Sequence, residues 1–223
     1  MFVSLRMLGL PDGQVNQRDA LIEQLRHGAE QLPGVLGNWI APMHDTATIN
    51  AGHIIWRMIH ASEAAAHAAT LHPAWAEHIS PAMAGTEVTA AGYRLTQKQV
   101  RRAGSGIWRA LLFSCFPHSD PAIVRDLEEQ TLLLPKYVPE IRSWGLNRTA
   151  WSEGRKPIEF VWEQEYDSVD GLTGPYMHTP IHWGIVDAYF DADCPEYIVD
   201  PHLIQIVGAI DHTIMEPHLG DNG

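Results

Sequence analysis

A tyrosine and a histidine, Tyr176 and His182, stand six residues apart on either side of Thr179-Pro180. Thr179 is a good helix N-cap and Pro180 suits the first helical position, so the sequence predicts a helix from Thr179 to about Phe190. His182 would sit in its first turn. A neutral imidazole titrates near working pH and can take a proton from a hydroxyl or from carbon next to a carbonyl. A neighbouring phenol can donate a hydrogen bond to the oxyanion that develops. Such a pair supports aldol-type condensation, its reverse, elimination or isomerisation. The same spacing equally fits a histidine that caps its helix or packs under a loop, beside a tyrosine that is plain core.

Other residues compete for chemical roles. With 13 histidines in the chain, His178 and His182 invite reading as an i, i+4 metal pair. Pro180 between them starts a helix, so they should not share a helical face, and no metal is expected there. His202, His212 and His218 fall near the end with Asp200, Asp211 and Glu216, a set that reads first as a solvated tail. Arg57, Arg109 and Arg148 could anchor a substrate carboxylate, or could simply form surface ion pairs. Asp187 lies five residues beyond His182, outside the i, i+4 reach of an α-helix, and is not expected to orient it. Most of the eight tryptophans should be core, with some as flat walls for an aromatic ligand.

The elements that must hold these groups are stated twice. At an offset of about 106 residues, Pro33 falls on Pro139, Trp56 on Trp162 and Ser62 on Ser168, and one further residue brings Pro73 onto Pro180. Each copy reads strand, helix, strand, strand, helix, strand. The first has strands at 2–8, 35–43, 53–60 and 88–95 and a helix at 17–32 with Leu21, Ile22, Leu25 and Ala29 on one face. An alanine-rich helix opens at Ser62. The second has strands at 107–116, 141–149, 158–166 and 203–210 and a helix at 121–134. Lys98 to Gly106 reads as the joint, which gives units 1–98 and 107–215. A β-α-β-β-α-β unit is ferredoxin-like, with helices on one face of an antiparallel sheet. The fold class is therefore α+β, with the two bare sheet faces packed together as a pseudo-dimeric barrel and room for a hollow between them.

Bulk properties narrow the partners. A formal charge of −12 leaves no cationic surplus for phosphates, which argues against nucleic acid and in favour of a small molecule. Cys115 and Cys194 are too few for a disulfide framework. Met1 to Leu10 is apolar, but Pro11-Asp12-Gly13 ends it without the features of an export signal, and no apolar run suggests a membrane span. The expectation is a cytoplasmic chain, with association between copies left open.

Both copies resemble the stress-responsive dimeric α/β-barrel family, whose second helical region carries a His-Pro-x-His signature. The copies read His72-Pro73-Ala74-Trp75 and Thr179-Pro180-Ile181-His182, each keeping half of it. The second half is similar to the olivetolic acid cyclase branch, in which the last histidine of the signature is the base and a tyrosine six residues earlier assists. That resemblance implies a cofactor-independent lyase or cyclase with His182 and Tyr176 catalytic. The substrate would be small and carbonyl-containing, aromatic or polyketide-like, in a pocket contributed by Arg109, Phe160, Trp162, His178 and Trp183. Trp75 would fill the matching place in the first copy and leave one active pocket. The family also implies two alternatives, a non-enzymatic stress or assembly protein and a haem- or quinol-type monooxygenase.

Overall fold

The computed structural model describes residues 1–45 and 47–217 of the 223. Strand β1 (Phe2–Gly9) shows how the sequence sets the architecture, because both of its alternating faces are buried. Val3, Leu5 and Met7 point into one core, and Leu8, two residues from Arg6 on the other face, into a second. Strands β3 (Ile54–His60) and β8 (Phe160–Tyr166) are buried along their whole length, the mark of strands covered on both sides.

Helix α1 (Arg18–Glu30) covers the outer face of the first half through Leu21, Ile22, Leu25 and Ala29, the stripe its spacing predicts. Helix α2 (Glu63–Leu71) starts where the Ser62 hydroxyl accepts a hydrogen bond from Ala65 N at 3.1 Å. A π-turn at Trp75–Ile79 and the short α3 (Ser80–Ala82) follow. In the second half α4 (Pro121–Thr131) is capped by Asp120 and buries Val124 and Leu127. It stops short of the predicted Leu134, because the ring at Pro135 interrupts the ladder; a separate turn, α5 (Leu134–Tyr137), begins there.

The remaining strands are β2 (Val35–Pro42), β4 (Glu87–Arg94), β5 (Lys98–Val100), β6 (Gly106–Phe113), β7 (Ser143–Glu153) and β9 (Ile204–Ile210). Neighbouring strands follow the order β2-β3-β1-β4-β7-β8-β6-β9, so the first half runs 2-3-1-4 and the second runs 7-8-6-9 in the same pattern. The halves join where β4 pairs antiparallel with β7, Ala90 opposite Glu153 and Gly92 opposite Trp151. On the far side Ile49 bridges Gln205, and His44 N donates to Val207 O at 2.8 Å, which brings the sheet nearly full circle. β5, absent from the sequence reading, pairs with β7 inside the stretch expected to be a joint. Two ferredoxin-like units thus make one pseudo-dimeric α/β barrel.

The hollow expected between the two sheets is filled. Val3, Leu5, Ile55, Trp108, Leu112 and Val161 pack across it, and Trp39 meets Trp108 edge to face at 5.3 Å. Arg57 and Glu163 are buried in the same interior and pair at 2.8 Å. The niche beside them, bounded by Trp39, Arg57 and Ile214, holds about 30 Å³. Pocket space lies instead between sheet and helices, and at the barrel mouth. Among the described residues no helix is long and apolar enough to cross a membrane.

Candidate functional site

The segment after β8 is a run of short turns: α6 (Val169–Gly171), a π-turn at Leu172–Tyr176, a second at His182–Val186 and a 3₁₀ turn at Asp187–Tyr189. The helical path breaks at Thr179 and resumes at Pro180, so His182 lies in the first turn as the sequence predicts. That turn is wider than an α-helical one: Asp187 N donates to His182 O, five residues back. The wider winding brings residue i+5 over residue i. Asp187 Oδ2 consequently lies 3.3 Å from His182 Nδ1, which corrects the expectation that five residues is too far. The pair is at ion-pair distance but is aligned too poorly for a hydrogen bond.

Tyr176 packs edge to face on His182, with ring centroids 4.5 Å apart. His182 is 8% exposed and Tyr176 2%. The Arg109 guanidinium carbon lies 5.4 Å from the Tyr176 ring centroid, and Tyr166 touches the same ring from another side at 6.1 Å. Arg109 is held by neutral amides alone: Nη1 donates to Gln164 Oε1 at 2.6 Å, while Nε and Nη2 donate to Gln205 Oε1 at 3.0 and 2.6 Å. Its charge is therefore not cancelled by any carboxylate among the described residues. Burial and the neighbouring Tyr176 push the Tyr166 phenol well above its ordinary value, so it stays protonated.

Three residues singled out from the sequence, His182, Tyr176 and Arg109, thus come together. Phe160 and Trp162 belong to the same buried cluster but serve as packing: Phe160 stacks on Phe113 at 5.0 Å, and Trp162 is 1% exposed. Trp183 and His178 do not join it. Trp183 is 61% exposed, and His178 is exposed with Nδ1 2.7 Å from Gly174 O. The break at Thr179 separates His178 from His182. No group of three or more metal-ligating side chains occurs among the described residues, and His218 lies outside them.

Trp75, the counterpart of His182, stacks on Trp56 at 5.6 Å with planes 10° apart. Yet it does not seal the first half. A cavity of about 740 Å³ opens between α2 and the sheet, bounded by Ser4, Arg6, Ala66, Thr70, Trp151 and Glu153. Trp151 and Glu153 come from β7 of the other half. Arg6 was the available sequence signal, a lone cation inside an apolar strand; by register it stands opposite Trp56 where the second half has Leu111 opposite Trp162. A smaller cleft of about 290 Å³ sits at the barrel mouth beside Gly9, Arg155, Lys156 and His202. Its cations are already paired, Arg155 with Glu87 and Lys156 with Asp200.

Helix-covered antiparallel sheets curled into a barrel by two ferredoxin-like halves place the chain among proteins of the dimeric α/β-barrel fold, here with both halves in one polypeptide. No protein-family model and no curated protein matches the chain. Solved structures do match in fold. An anthrone oxidase-like protein superposes with a TM-score of 0.64 at 11% identity, over 95% of this chain and 92% of its own. A provisionally assigned monooxygenase from Fusobacterium nucleatum gives 0.60 at 10%, over 95% and 92%. Another from Lactobacillus acidophilus gives 0.56 at 9%, over 95% and 93%.

Proposed function

We propose that the chain is a barrel enzyme that processes a small carbonyl-bearing substrate, aromatic or polyketide-like, as a cofactor-independent lyase or cyclase. The observation that carries this reading is the placement of Asp187 3.3 Å from Nδ1 of His182 with Tyr176 packed on the same imidazole. A carboxylate at Nδ1 favours the tautomer that carries its proton there, leaving Nε2 to accept one from the substrate. The Tyr176 hydroxyl would then donate to the developing oxyanion, and the uncancelled charge of Arg109 favours an anionic intermediate. His182 is nearly enclosed, so the substrate reaches it by displacing the short turns of 172–189, which lack a continuous α-helical ladder.

A second reading shares the first step. The fold neighbours include an anthrone oxidase-like protein and provisionally assigned monooxygenases. A carbanion made by His182 could be captured by molecular oxygen in place of an internal carbonyl.

One experiment tests both: incubation of the chain with a linear poly-β-ketone thioester and, separately, with an anthrone, in air and under argon. Ring closure that persists under argon supports the cyclase; oxygen uptake with the anthrone supports the oxygenase. Unchanged rates in His182→Ala would remove His182 from either mechanism.

A further inference from the structure

Arg6 lies on the face of β1 that looks toward α2, and its side chain lines the cavity of the first half. It is 8% exposed, Nη1 makes no hydrogen bond, and no ion pair among the described residues includes it. Its guanidinium carbon rests 4.8 Å from the Trp75 ring and 5.7 Å from the Trp56 ring, against two indoles that stack on each other. Burial lowers its pKa to about 10, with Glu153 opposing the shift, and it remains cationic at neutral pH.

The rest of the cavity is matched to one kind of visitor. Ser4 adds a hydroxyl, backed by the His60 Nε2 at 3.3 Å. Arg94, at the rim, is already paired with Glu63 at 3.3 Å. Trp151, Ala66 and the methyl of Thr70 offer apolar wall, and about 740 Å³ is the size of a small-molecule pocket. A polyanion is disfavoured, since Glu153 stands in the same wall and the chain carries a formal charge of −12. A planar monoanion meets the fork geometry of a guanidinium without that penalty.

We infer that this cavity is a binding site for a small organic carboxylate, with Arg6 and Ser4 holding the carboxylate and Trp151 and Ala66 against its apolar body. None of the cavity's lining residues belongs to the His182 site, and the inference does not depend on the catalytic reading.

The full chain is titrated with benzoate, benzamide and inorganic phosphate, followed by tryptophan fluorescence and calorimetry. Benzoate should saturate and bind at least about tenfold more tightly than its neutral amide, as a charge-assisted pair requires. Arg6→Met should erase that preference while leaving benzamide unchanged, and His182→Ala should bind benzoate as the parent does. If Arg6→Met does not fold, Ser4→Ala decides, with a loss of several-fold expected for benzoate alone. Equal affinity for benzoate and benzamide, no saturable benzoate binding, or parent-like benzoate binding by Arg6→Met or Ser4→Ala overturns the inference. Preference for phosphate over benzoate overturns the carboxylate assignment.

Discussion

Arg57 and Glu163 occupy matching places in β3 and β8, 106 residues apart, and meet inside the barrel with Nε 2.8 Å from Oε1. Arg57 Nη1 also donates to Ile214 O, tying the chain's last described stretch to the same pair. Burial is the largest influence and works against the charge on Arg57, but Glu163 and Tyr93 together outweigh it and the guanidinium is held ionised. Glu163→Gln should therefore cost about 3–5 kcal/mol, because it leaves a buried cation without its counter-charge. Replacing both, Arg57→Met with Glu163→Leu, should recover most of that loss. Urea unfolding of the three variants measures the coupling.

Asp187→Asn tests the π-turn contact. If the carboxylate orients and supports His182, kcat should fall roughly 10–100-fold with little change in KM, the usual scale for a group that acts through a catalytic histidine. His182→Ala should fall further, by about 10²–10⁴. Steady-state kinetics on whichever substrate turns over, with circular dichroism to confirm folding, gives the comparison.

His60 predicts an acid-sensitive fold. It is fully buried, and burial together with the charge of Arg6 lowers its pKa from 6.5 to about 4. Between those values the unfolded chain binds a proton that the folded chain refuses, so stability drops as pH falls through the window and is fully present above it. The slope contributed by one such group reaches at most about 1.4 kcal/mol per pH unit. His60→Gln should flatten the dependence of the urea midpoint on pH between 6.5 and 4, whatever it does to stability at pH 7.

Gly92 faces Trp151 across the seam between the halves, and a Cβ built on it would fall 2.2 Å from the indole. Gly92→Ala should thus shift Trp151, at a cost of about 1–3 kcal/mol. Trp151→Ala should make the same alanine nearly neutral. A double-mutant cycle in thermal unfolding reads the difference.

The strands were legible because alternation and turn residues mark them: β1, β2, β3, β4, β6 and β9 match their expected spans to within a few residues. β5 was not, being three residues whose pairing depends on β7 rather than on any pattern of its own. In the site, the order Tyr176, Thr179, Pro180, His182 foretold the break and the start of the turn. It could not foretell five-residue winding, because apolar spacing hardly distinguishes a π-turn from an α-turn, and so it carries no sign of the Asp187 contact. The cavity was hidden for a different reason. Two of its walls, Trp151 and Glu153, are supplied by a strand some 150 positions away from Arg6, and only the pairing of β4 with β7 brings them there.

The cylinder has two closures of unequal strength. One is a ladder between β4 and β7; the other is the Ile49 bridge to Gln205 with the His44 contact to Val207. Local opening follows the weaker fastening. The molecule should accordingly behave as a hinged cuff, swinging about the β4–β7 spine and unlatching at His44 and Ile49, whose amides would trade deuterium long before those of Ala91 and Tyr93.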